Sequence, residues 1–184
     1  QWLFKSDETT TIQADSFQYN PNLGGTAFRV GDNNVITQNA PSGTPTHRDA
    51  IEYRTITGTA QTELFLDGSA DIWVLPTNSV QSFKIHVAAI CSSAGNGVGI
   101  STGDAYTGWF LGGIKRVTNI TSLVGSVQAD ATAQSDTGMS TSVVTIDADD
   151  TDESLRIRFT PPNTAGTTTV IQVIATIEIA QTSY

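Results

Sequence analysis

Two stretches near the C-terminus alternate apolar and polar residues without a break, and that period of two leaves little choice of fold. In Ser154-Leu155-Arg156-Ile157-Arg158-Phe159-Thr160, Leu155, Ile157 and Phe159 fall on one side and the two arginines on the other. Between 171 and 179, Ile171, Val173, Ala175, Ile177 and Ile179 share a face, with Gln172, Thr176 and Glu178 opposite. A strand gathers such residues onto one surface, whereas a helix would scatter them. Slipping either stretch by one residue would exchange its faces, so the register is well specified. Phe83, Ile85, Val87 and Ala89 alternate in the same way with Lys84, His86 and Ala88, predicting a long strand that runs into a glycine-rich loop, Ser92 to Gly108. Trp109 to Val117 reads as the next strand, its Gly112-Gly113 pair marking a bulge or a close backbone approach. Further strands are expected at Ser122 to Val127 and Val143 to Asp147. Asp67-Gly68, between Glu63-Leu64-Phe65-Leu66 and Ile72-Trp73-Val74-Leu75, predicts a hairpin turn.

No amphipathic helix and no fixed repeat stands out, and Thr, Val and Ile are favoured over helix-forming residues. These patterns predict an all-β fold, an antiparallel β-sandwich of jelly-roll-like character, over residues 50–184. Residues 1–49 differ. Turn signals at Asn20 to Gly25, Gly31 to Asn34 and Ala40 to Pro45 interrupt them about every ten residues. Short strands are expected at Thr26 to Val30 and Val35 to Gln38, in an extended N-terminal arm or collar that needs the main domain or neighbouring copies to order it.

Charged residues make up 15% of the chain, and the net charge is −9, from 18 acidic and 9 scattered basic residues. A phosphate backbone or an anionic membrane surface needs a basic patch, so no nucleic-acid partner is expected. No apolar run is long enough to predict insertion into a membrane as a helix, and Gln1-Trp2-Leu3-Phe4 has no basic segment leading into an apolar one. A start without Met reads as a processed chain or as part of something longer. Cys91, the one cysteine, allows no intrachain disulfide and no cysteine-based zinc site. Its apolar neighbours Ala88, Ala89 and Ile90 make it a core residue.

Little in the chain points to catalysis. His47 and His86 lie in no nucleophile–base motif and read as surface residues, and there is no phosphate loop, His-Glu-x-x-His or Gly-x-Ser-x-Gly. Two suitably spaced carboxylates would suffice for glycoside hydrolysis, but 18 acidic residues make mere candidates uninformative. The run Asp147 to Glu153 could in principle offer oxygens to calcium. It lacks the glycine and the terminal Glu of the helix-loop-helix calcium template, and reads better as a solvated hairpin turn. No cofactor, metal or catalytic residues are expected. The candidate ligand-binding residues are Asn96, Asp104, Tyr106 and Trp109, because aromatic faces stack on sugars while Asn and Asp bind hydroxyls from loops held by a rigid sheet. Tyr106 is expected to be exposed, and Trp109, entering a strand, to pack in the core. Asn119-Ile120-Thr121 matches the glycosylation sequon, a match expected by chance in so Thr-rich a chain.

From about Ile51 onward an ordered series of phrases resembles the distal C-terminal β domain of bacteriophage tail-fibre and related virion fibre proteins. The phrases are Gln61-Thr62-Glu63-Leu64-Phe65-Leu66-Asp67-Gly68; Leu75-Pro76-Thr77-Asn78-Ser79; Trp109 to Arg116; Asn119 to Gly125; Ser154-Leu155-Arg156-Ile157; and Ala175-Thr176-Ile177-Glu178. They span about two-thirds of the chain. Family members carry an Arg-Arg pair and acidic residues where this chain has Ile90 to Gly95, and often Asn-Gly in place of Asp152-Glu153. What the resemblance implies is a virion protein exposed on the particle surface, a homotrimer joined to other virion proteins, with residues 1–49 toward the fibre shaft. The arm would then bury Trp2, Phe4, Phe17 and Tyr19 against neighbouring copies. Host-surface recognition, of a glycan or an envelope receptor, is the function implied. The alternatives are a capsid-decorating or fibre-capping trimer without a receptor, and the trimerising cap of a polysaccharide depolymerase.

Overall fold

A computed structural model describes residues 16–19, 28–31, 36–39, 46–129 and 133–183, the first three segments as strand backbone only. In chain order the strands are β1 (Ser16–Tyr19), β2 (Phe28–Gly31), β3 (Ile36–Asn39), β4 (Thr46–Thr57), β5 (Thr62–Glu63), β6 (Ser79–Ser93) and β7 (Ala105–Val117). After them come β8 (Ile120–Leu123), β9 (Gln128–Ala129), β10 (Gln134–Ser135), β11 (Val143–Asp149), β12 (Ser154–Thr160) and β13 (Val170–Ser183). Among the described residues the only helical segment is one 3-10 turn, Thr137–Met139, so the chain is all-β.

Every pairing is antiparallel. One large sheet has the order β1-β2-β3-β4-β13-β6-β7-β10, with β8 and β9 also paired to β7; a second sheet is ordered β11-β12-β5. The C-terminal strand β13 is the spine of the large sheet, paired along its length with β6 on one side and β4 on the other. β4 runs unbroken through residues 49 and 50, and β3 pairs with its first four residues, Thr46 to Asp49, so β1–β3 continue the same sheet. The expected burial of Trp2, Phe4, Phe17 and Tyr19 lies outside the described residues.

The alternation read from the sequence sets the core. Ile171, Val173, Ala175, Ile177 and Ile179 of β13 point inward with Phe83, Ile85, Val87, Ala89 and Cys91 of β6, all buried. From the second sheet Leu155, Ile157 and Phe159 meet the same core. Each buried Val, Leu, Ile or Phe side chain among them contributes about 1.5–3 kcal/mol on burial.

Three local expectations are corrected. Asp67-Gly68 does form a turn, with Gly68 at φ +73°, but its flanks do not pair as a hairpin ladder. The Asp67 carboxylate instead accepts the N–H groups of Ser69, Ala70 and Asp71, taking up donors that a ladder would use. Phe65 then bridges to Tyr53 of β4, and Val74 to Ser154 of β12. The Gly112-Gly113 pair carries no bulge, since β7 stays in register with β6 through both residues. What comes close is a side chain rather than another backbone: the Phe83 ring lies where a Cβ on Gly112 would stand. The glycine-rich loop, finally, is shorter than expected, because β6 continues to Ser93 and β7 already begins at Ala105.

Candidate functional site

The four candidate ligand residues do not form one site. Asn96 lies in the loop between β6 and β7, where it ties that loop to the one preceding β13. Its Oδ1 accepts from the Thr168 N–H and hydroxyl, both at 2.9 Å, and its Nδ2 donates to the Thr167 hydroxyl at 3.1 Å. Gly95 and Gly166 leave no room for a Cβ at this clasp, so the two loops are fitted backbone to backbone. Asp104 accepts the Ser101 N–H at 2.7 Å and closes its own turn. Both side chains therefore hold loops in shape.

Tyr106 and Trp109 exchange the places expected of them. Tyr106 is 8% exposed and meets Phe159 edge to face, with ring centroids 5.9 Å apart, whereas Trp109 is 40% exposed. Burial pushes the Tyr106 phenol above its usual pKa. The reason is strand parity: once β7 starts at Ala105, the even residues Tyr106, Gly108 and Phe110 face the core and the odd residues Trp109 and Leu111 face out. Extending the alternation of Phe110 and Leu111 back through Tyr106-x-Gly108 would have shown this. Gly108 suits that position, because a Cβ there would press on the Tyr106 hydroxyl.

Trp109 belongs to a surface that reading the loop missed. On the outward face of the large sheet, neighbouring strands set Tyr53 beside Ile174 and Ile174 beside Ala88. One row away, Ile51 lies beside Thr176, Thr176 beside His86, and His86 beside Trp109. Ile51, Tyr53, Val80, Ile90, Leu111 and Ile174 are each 36–53% exposed on this one face. Tyr53, Ala88, Ile90 and Ile174 line a groove of about 850 Å³, rimmed by Gln172, Thr107 and Gln134. The Trp109 ring is already engaged: His86 stacks on it at 4.0 Å and 13°, and the Lys84 ammonium lies 4.7 Å from the ring centroid. His86 is thus half-buried rather than an ordinary surface residue, with Nε2 2.8 Å from the Thr107 hydroxyl. His47 is exposed, 3.1 Å from Asp49. Toward the β3 end the face turns charged, with Lys84 and Glu178 3.8 Å apart.

The opposite side of the molecule is of another kind. The acidic run turns between β11 and β12, and arginines hold its carboxylates. Arg156 reaches Asp147 at 3.0 Å and Asp149 at 2.5 Å, and Arg158 also binds Asp147. Glu153 holds the Thr121 hydroxyl and lies 3.4 Å from Arg116. Asp150 accepts the Thr121 N–H at 2.6 Å. Among the described residues no three His, Cys, Asp or Glu side chains converge as a ligand set for a metal ion. The chain matches no protein-family model and no curated protein.

Proposed function

We propose that this chain is a bacteriophage virion structural protein, the tip domain of a tail fibre. In this reading it is a jelly-roll-like β-sandwich that assembles as a homotrimer and meets a host-surface glycan or envelope receptor. The observation that carries the reading is the outward face of the large sheet. Monomeric proteins rarely leave so many large apolar side chains together on one face, and a patch of this kind marks an interaction surface. A second and third copy would cover Tyr53, Ile90 and Ile174 and fill the groove between them. The charged end of the face, with Lys84, Glu178 and Asp49, would form the rim. Threefold repetition would then multiply weak receptor contacts at the loop end. That end, formed by the loops at 94–104 and 161–169, is remote from the point where β3 joins β4.

One observation favours a second reading, a fibre-capping or capsid-decorating trimer without a receptor of its own. The large apolar side chain exposed on those loops is Val98, and no aromatic residue lies in either segment. Such a tip offers no stacking surface for a sugar.

Size-exclusion chromatography with light scattering tests the shared part of both readings. Three chain masses are expected at micromolar concentration, and a stable monomer would overturn the assembly. Adsorption of the labelled trimer to host cells, set against glycan-stripped cells, separates the two: selective loss of adsorption supports the receptor role, and no adsorption to either supports the cap.

A further inference from the structure

We propose that Glu52 is a built-in pH sensor: it holds a proton in the folded chain, and loss of that proton loosens β4 from the core. The inference does not depend on the assembly reading. Glu52 points inward from the middle of β4 between Ala50 and Ile56, beside Ala175 of β13, and is 2% exposed. Its Oε2 has no hydrogen-bond partner among the described residues. A carboxylate in that position would be desolvated and would leave that oxygen unpaired, an unfavourable condition for a charge.

The charged groups around it do not relieve this. On β4 itself, Arg54 donates to the Gly68 and Ser69 carbonyls at 3.2 and 2.7 Å and lies over the Phe65 ring. Arg48 stands over the Trp73 ring, 5.6 Å from its centroid. From β5 comes Glu63, whose charge opposes ionisation of Glu52. From β12, Arg156 pairs with Asp147 and Asp149 and Arg158 with Asp147, and neither hydrogen-bonds the Glu52 Oε2, although the Arg158 Nε is itself buried without a partner among the described residues. β13 contributes only Val173, Ala175 and Ile177 to this face. Burial first, and Glu63 second, push the Glu52 carboxyl well above the usual carboxylate range. The neighbouring Tyr53 exchanges backbone hydrogen bonds with Phe65 at 2.9 and 3.4 Å, so movement of β4 reaches both the 62–66 segment and the outward groove.

The sign follows from linkage. A carboxyl with its pKa raised on folding stabilises fully below its unfolded-state value, and that contribution is lost as pH rises through the folded-state value. In that window the folding equilibrium constant falls about tenfold per pH unit. Denaturant unfolding of the full chain at one protein concentration, from about pH 5 to about pH 9, would be compared with Glu52→Gln. The parent should lose stability with that slope relative to the variant, and above the window the variant should be the more stable. His47 and His86 are common to both proteins and cancel in the difference. Parallel curves would overturn the proposal. A second measurement uses the unaltered chain, which has five glutamates. In its δ-carbon NMR spectrum one Glu signal should remain at the protonated position at neutral pH, and five ordinary titrations would equally sink the idea.

Discussion

The outward faces of the two sheets follow opposite rules. On the second sheet, Asp147 and Asp149 of β11 meet Arg156 and Arg158 of β12, while Gln61 bridges the hydroxyls of Thr145 and Thr160 at 3.2 and 3.0 Å. Asp147 pairs with Arg156 and Arg158 there, and all three remain about a quarter exposed, a polar face open to water. On the large sheet, Ile51, Ile90 and Ile174 occupy the corresponding outward positions and stay exposed, while Tyr53, also exposed, is held from one side by the 67–68 turn, its hydroxyl donating to the Asp67 carbonyl at 2.9 Å. Both faces sit on one shared core, so the difference is not a matter of fold stability. It leaves one face polar and ion-paired and the other largely apolar, the contrast on which the proposed assembly rests.

The sharpest contrast lies within a single strand. Phe159 of β12 is fully buried against Tyr106, whereas Arg156 and Arg158 of the same strand look outward. Phe159→Ala should cost about 3–5 kcal/mol of folding stability, since it opens a cavity at the junction of the two sheets. Chemical denaturation with an unchanged m-value would register it. A cost below about 1 kcal/mol would mean that the sheets share less of their core than their burial implies.

Next in size is the effect expected on the other face. Ile174 is 42% exposed, so Ile174→Asp should leave the fold intact while weakening association by about 2 kcal/mol or more, roughly thirtyfold. Thermal unfolding gives a clean readout. The parent's midpoint should rise with protein concentration and the variant's should not, because only association couples stability to concentration. A concentration-independent parent would remove the distinction between the two faces.

How far this asymmetry could be read in advance depends on what the alternation had to report. β12 separates a dry core from water, so its pattern is clean and its bounds, Ser154–Thr160, are those the sequence predicts. β13 separates a core from a face that is itself partly apolar. The signal was therefore Ile174, an isoleucine among the polar positions, which the inward series of Ile171 to Ile179 passes over. The outward side of Trp109 is hidden for a related reason: glycines and small polar residues extend the loop pattern past Ala105 and mask where strand parity begins. The 64–75 segment escaped because its structure depends on the Asp67 side chain rather than on any periodicity. Glu52 was invisible for a different reason. Nothing in Ile51-Glu52-Tyr53 tells which side of β4 faces the core, and the structure places the acidic residue inward and its two neighbours outward.

The smallest effect expected concerns the acid limit of the solvent face, and it runs opposite to that of Glu52. Asp149 accepts the N–H groups of Thr151 at 2.9 Å and Asp152 at 3.2 Å, and it also pairs with Arg156. Those backbone hydrogen bonds, Thr151's first, and then the arginines hold its carboxyl below the usual aspartate range. A pKa lowered on folding stabilises above the unfolded-state value, and the contribution is lost as pH falls through the folded-state value. Asp149→Asn should therefore be less stable than the parent near neutral pH. The gap should close on acidification below about pH 4, where the parent's carboxylate takes up its proton. A gap constant with pH would show that Asp149 acts through the shape of its turn alone. The solvent face would then owe its order to geometry rather than to charge.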